Sequence, residues 1–173
     1  AGKLLADWRP ASTGYLQLLA SLDIAYLLGM FAAIAWAFGW RVFAVAAVFW
    51  GCQSSAPFYW TGGAFLRQDW LFWMVLSACL ARKRYFAWSA AALVYAGLLR
   101  IFPGLVVVGW LGVAFWQLVE HRRLTKPQLR MLLGGTLAAA VLVPASLKLC
   151  GKDSYRQFYE HTLRVHDQTP LTN

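Results

Sequence analysis

Residues 85–119 read YFAWSAAALVYAGLLRIFPGLVVVGWLGVAFWQLV, with Arg100 as the one charged residue in the run. As a single helix this stretch would measure about 52 Å at 1.5 Å per residue, against a bilayer hydrocarbon core of about 30 Å. Pro103 removes a backbone donor, and its ring crowds the preceding turn. The pattern therefore predicts two membrane-spanning helices that meet in a tight hairpin at Pro103-Gly104. One tilted, kinked helix is the alternative.

The rest of the chain has the same character. Its 173 residues are 60% hydrophobic and 13% charged, with ten Trp, eleven Phe and seven Tyr. Mean hydropathy is +0.52. Soluble domains carry about a quarter charged residues. A water-soluble globule, a disordered chain and a disulfide scaffold are thereby excluded. Charged residues divide the chain into apolar runs, which predict helices near 18–39, 41–57, 65–81, 85–102, 104–119 and 130–149. The third run spans only if it starts near Phe65 and carries Arg67 and Asp69 in its first turns. The expected fold is all-α: a polytopic transmembrane helix bundle of about six spans over residues 1–150, then an extracytoplasmic interfacial tail over 151–173. In that tail Tyr155, Phe158, Tyr159 and Leu163 recur at helical spacing, which suggests a short amphipathic helix over 153–166 capped by Asp153 or Ser154.

Sixteen Lys and Arg stand against seven Asp and Glu, a net charge of +9. In a soluble protein that excess points to nucleic acid. Here it reads as topology. With residues 1–17 outside, the loops at 40–41, 82–84 and 120–130 are cytoplasmic. They hold Arg41, Arg82, Lys83, Arg84, Arg122, Arg123, Lys126 and Arg130, against Glu120. The arrangement obeys the positive-inside rule. Anionic lipid headgroups suffice as partners, and no nucleic acid is required. Tyr59, Trp60 and Trp70 fall at the outer interface, and Tyr85, Trp88 and Trp116 near the inner one. The start of the chain lacks the pattern of a signal peptide. Cys52, Cys79 and Cys150 form no Cys-x-x-Cys pair and read as small buried hydrophobes. His161 and His166 are five apart, which does not put two ligands on one helix face, so neither metal nor cofactor is expected.

Few ionisable residues fall within the spans, and such residues are costly there. Asp23 reads as a helix-end group that reaches water. The segment TGGAFLRQDWL (61–71) is more informative. Gly62-Gly63 permits a close turn, and Arg67, Gln68 and Asp69 follow it at a helix start. An Asp there suits the helix dipole and an Arg does not, so Arg67 calls for an anionic partner. Asp69, a lipid headgroup or a substrate phosphate would serve. Arg100 lies one turn before Pro103, on the same side as Arg67. The two arginines either form one basic pocket for a lipid-linked phosphate or snorkel independently.

At these residues a resemblance appears. GGAFLRQDW, ARKRY, AWSAAALVYAGLL and RIFPGLVVV follow one another between Gly62 and about Leu111. This order resembles the central part of a bacterial polytopic glycosyltransferase of the GT-C type, particularly the family 87 mannosyltransferase-like group. Its elements are a polar Gly/Gln turn, a cytoplasmic R-x-R turn, a small-residue helix and K/R-x-x-P. The resemblance implies transfer of a sugar from a polyprenyl-phosphate donor at the extracytoplasmic face of a bacterial inner membrane. It places Arg100 at the family's basic position, and Arg67 to Asp69 at its polar turn. Arg67, Asp69 and Arg100 are the residues expected to bind the substrate or lipid phosphate. The family's catalytic acid lies in the first extracytoplasmic loop, where it serves as base. Asp7 carries no motif for that role, so the catalytic residue is unassigned and the chain is expected to be an internal fragment. A second reading is a non-catalytic subunit that packs into a larger membrane complex through Ser89, Ala90, Ala91 and Gly97. A transporter is third, weakened by the lack of a midplane charge network or an inverted repeat.

Overall fold

The computed structural model describes residues 5, 7–10, 12–52, 66, 68–151, 153, 156, 157, 159 and 160. Six α-helices order the described residues: α1 Thr13–Phe38, α2 Trp40–Gly51, α3 Asp69–Arg82, α4 Phe86–Leu99, α5 Ile101–His121 and α6 Lys126–Cys150. No strand occurs among them. The chain divides into two compact units, residues 1–139 and 140–173, and the site described below lies in the first.

Helices α1, α5 and α6 are long and apolar enough to cross a membrane, with 26, 21 and 25 residues. Their flanks explain the medium. Leu105, Val108, Phe115, Leu133 and Leu137 are all exposed. Surfaces that apolar belong against lipid. These helices mark a membrane-embedded protein. Helices α2 and α4 are apolar but short, at 12 and 14 residues. At 1.5 Å per residue α4 reaches about 21 Å, below the ~30 Å core. Among the described residues, three helices are long and apolar enough to span.

The boundaries differ from expectation for identifiable reasons. α1 begins at Thr13 because the Ser12 hydroxyl accepts the Tyr15 N–H at 3.3 Å and caps it. It ends at Gly39, whose φ of +87° suits glycine and separates it from α2. α6 begins four residues early. Thr125 and Gln128 form a capping box: the Gln128 side chain accepts the Thr125 N–H at 2.9 Å, and Thr125 Oγ1 accepts the Gln128 N–H at 3.4 Å. The 85–119 break falls at Arg100, not at Pro103. Arg100 alone is extended, with φ −144° and ψ 150°, and it ends α4 and precedes α5. Pro103 is the third residue of α5, where the backbone N–H has no helical partner to lose. The hairpin closes tightly: a Cβ on Gly97 would meet the Gly104 Cα at 3.4 Å.

Neighbouring helices pack in chain order, and α1 also packs on α3 in a parallel register, with Asp23 level with Gln68, Tyr26 with Phe72 and Trp36 with Lys83. α1 lies against α2 and α3, α3 against α4, and α4 against α5. The small-residue face of α4 is used inside the chain. Ser89, Ala90, Ala92, Leu93 and Ala96 are buried, while Ala91 and Gly97 are half-buried. At the α3–α4 contact the Ser89 hydroxyl donates to the Ser77 carbonyl at 2.8 Å. Ser89's proton is then committed, so Ser77 donates to Ser89 Oγ across 3.1 Å. Interhelical hydroxyl bonds in membranes contribute about 0.6 kcal/mol on average. Ser89→Ala removes both contacts and is expected to lower stability by about 1 kcal/mol in a detergent unfolding titration. The Ser77→Ala/Ser89→Ala double variant should lose less than the sum of the singles, because they share one network.

One end of α3 and α4 gathers cations and rings. Lys83 Nζ lies 5.2 Å from the Trp36 ring, and Trp36 stacks on Tyr85 at 6.3 Å. Trp88 and Trp116 are exposed, as belt residues would be. Of the three cysteines only Cys79 is buried; Cys52 and Cys150 sit exposed at helix ends. The expected α-helix over 153–166 lies largely outside the described residues. Within it, Gln157 N–H donates to the Asp153 carbonyl, and Arg156 pairs with Glu160 at 2.9 Å.

Candidate functional site

Asp23 anchors the site. Ser12 capping starts α1 five residues earlier than expected, so Asp23 lies ten residues, about 15 Å, inside a spanning helix. Its exposure is 0%. The reading of Asp23 as a helix-end group in water is overturned. Its Oδ1 accepts the backbone N–H of Gln68 at 3.2 Å. That bond ties the residue before α3 to the interior of α1.

Asp69 is the first residue of α3, not a residue of its second turn. It is only 6% exposed, and its Oδ1 accepts the Trp70 N–H at 2.7 Å. A carboxylate at a helix start meets the positive end of the dipole. Asp69 lies within electrostatic range of both Asp23 and Arg100. Among the described residues it makes no direct ion pair with Arg100. Arg100 is held by its backbone, as the extended residue between two helices, and its side chain is exposed.

Beneath the carboxylates runs a continuous set of rings. Tyr26, one turn after Asp23, meets Phe72 at 5.3 Å. Phe72 meets Trp73 at 5.3 Å, and Trp73 meets Tyr95 of α4 at 5.0 Å. Phe72 also presses on Gly29, where an added Cβ would lie 3.0 Å from the Phe72 ring. Tyr26 and Tyr95 both lie within electrostatic range of Asp69. Carboxylates above, phenols at the side and a guanidinium at the rim can accept hydroxyl protons and attract a phosphate.

Of the three residues expected from sequence, Asp69 and Arg100 are brought to one end of the α3–α4 pair. Arg67 lies outside the described residues, as do Gly62, Gly63, Tyr59 and Trp60. Asp23 and Gln68 were not among the expected site residues. The signal that could have found Asp23 is Ser12-Thr13, a cap that lengthens α1.

Fold and site together define a membrane-embedded, all-helical protein with buried carboxylates on two neighbouring helices. No protein family, curated protein or solved structure matches the chain.

Proposed function

We propose that the chain is a GT-C-like membrane glycosyltransferase, or part of one, that transfers a sugar from a polyprenyl-phosphate donor at the extracytoplasmic face. The observation that carries this reading is Asp23, completely buried within α1 at the end of the bundle where Asp69 and Arg100 also lie. A fully buried ionisable group in a membrane-embedded helix is expensive, which marks it for function. The resemblance of residues 62–111 to family 87 gives the reaction class. In this reading Arg100, with Arg67, holds the donor phosphate, since a guanidinium matches phosphate oxygens bidentately. Asp69 steadies the same turn. Asp23 and Asp69 are the carboxylates from which the base for the acceptor hydroxyl is drawn. In this reading the basic loops at Arg41, Arg82–Arg84 and 122–130 face the cytoplasm of a bacterial inner membrane, as the positive-inside rule favours.

Arg100→Ala in the full-length protein tests the proposal. Glycolipid output should fall about a hundredfold, the typical cost of losing one charge-stabilising donor. Arg100→Lys should recover part of it. Unchanged output in Arg100→Ala removes this residue from the site. Of the face named for the subunit reading, Ser89 and Ala90 are covered within the chain, while Ala91 and Gly97 stay half-buried.

A further inference from the structure

Helices α4, α5 and α6 surround an apolar cavity of about 200 Å³. Leu93 and Val94 form one wall, Val107 and Trp110 the second, and Gly135 and Thr136 the third. The cavity exists because small residues meet there. Ala90, Gly135 and Ala139 leave volume that larger side chains would fill. Its depth can be read from the helices. Val94 lies six residues from Arg100, about 9 Å along α4, and Val107 lies seven residues away, about 10 Å along α5. Half of the hydrocarbon core is about 15 Å. The cavity therefore sits toward the middle of the bilayer.

The surroundings identify the occupant. Leu105, Val108, Leu111, Leu133 and Leu137 beside it are exposed and apolar, so the adjoining medium is hydrocarbon. An apolar cavity of ~150 Å³ already excludes water and accepts a hydrocarbon. Phospholipid acyl chains fill that medium and end near the bilayer midplane. We propose that the cavity seats the terminal part of one acyl chain of a bilayer phospholipid. This assignment is independent of the glycosyltransferase reading.

The test uses the full chain in phosphatidylcholine vesicles that contain a small fraction of phosphatidylcholine with a diazirine near the acyl terminus. After photolysis, adducts are mapped by peptide mass spectrometry. Insertion at Trp110, Met131 and Thr136 is expected to exceed that at lipid-facing Leu105 and Leu137 several-fold. Gly135→Leu and Ala139→Leu each fill the cavity from the α6 wall, one turn apart. Each should cut insertion at Trp110 at least fivefold and leave Leu105 and Leu137 labelled as before. Equal labelling of cavity and outer face would overturn the proposal. So would labelling of Trp110 that survives both variants in folded protein. Displacement of the label by a few mole per cent of a long-chain isoprenyl phosphate would also overturn it, because the seat would then belong to an isoprenoid.

Discussion

Gly134→Ala is expected to destabilise the protein by about 2–3 kcal/mol, a lowering of Tm by roughly 5–10 °C in detergent. The cause is local. A Cβ at residue 134 would run into the Ala87 carbonyl oxygen and lie 2.6 Å from the Ala87 Cα and 2.7 Å from its carbonyl carbon. All three are backbone atoms of α4, so no side chain can rotate aside. The helices must separate by about an ångström, and close-packed contacts are lost over such gaps. Gly134→Leu should be worse and leave little folded protein. Two controls isolate the effect. At Gly135 an added Cβ would meet only the Ala90 and Val94 side chains at 3.6 Å, so Gly135→Ala should be tolerated. At Gly109 nothing lies within 4 Å, and Gly109→Ala should gain up to about 1 kcal/mol from helix propensity. Equal Tm values for Gly134→Ala and Gly109→Ala would refute the close crossing.

The contrast between Gly134 and Gly135 shows where sequence reasoning stops. The pair reads as two equivalent small residues, yet only the crossing of α6 over α4 decides which of them touches backbone. Other features were legible. Apolar runs and charged breaks located all six helices, and the shared end of Asp69 and Arg100 followed from counting spans. The boundaries are less so, because capping residues, not charged breaks, set them. Thr125-x-x-Gln128 and Ser12 each extend a helix through local hydrogen bonds, not hydropathy. Pro103 looks like the breaker in the sequence, but a proline in the first turn of a helix costs little. The break moved three residues to Arg100 and left α4 short. The start of α1 has the largest consequence: hydropathy alone starts it at residue 18 and puts Asp23 near its mouth, whereas the Ser12 cap starts it at Thr13, ten residues before Asp23.

That position makes Asp23 the residue with the second large expected effect. Its Oδ1 holds the Gln68 N–H, so charge and hydrogen bonding must be separated. Asp23→Leu removes both. It leaves a buried N–H without its acceptor, a cost of about 1–3 kcal/mol. Asp23→Asn keeps a carbonyl oxygen for Gln68 and removes the negative charge. Its stability should stay within about 1 kcal/mol of the parent, as an intact backbone bond predicts. Under the proposed function both variants should lower glycolipid output by a hundredfold or more, the scale of a missing general base. If Asp23→Asn retains full output while Asp23→Leu does not, Asp23 positions the turn before α3 and the base must be sought at Asp69. Asp69→Asn then becomes the deciding variant. Removing its charge costs about 0.3–1 kcal/mol at a helix start, too little to unfold the chain, so a hundredfold loss of output there would be chemical. The two carboxylates lie within electrostatic range of each other, and replacing one changes the proton affinity of the other. The pH dependence of output in the two Asn variants should therefore differ from the parent's in the surviving carboxylate, and an unchanged profile in both would place neither acid in the reaction.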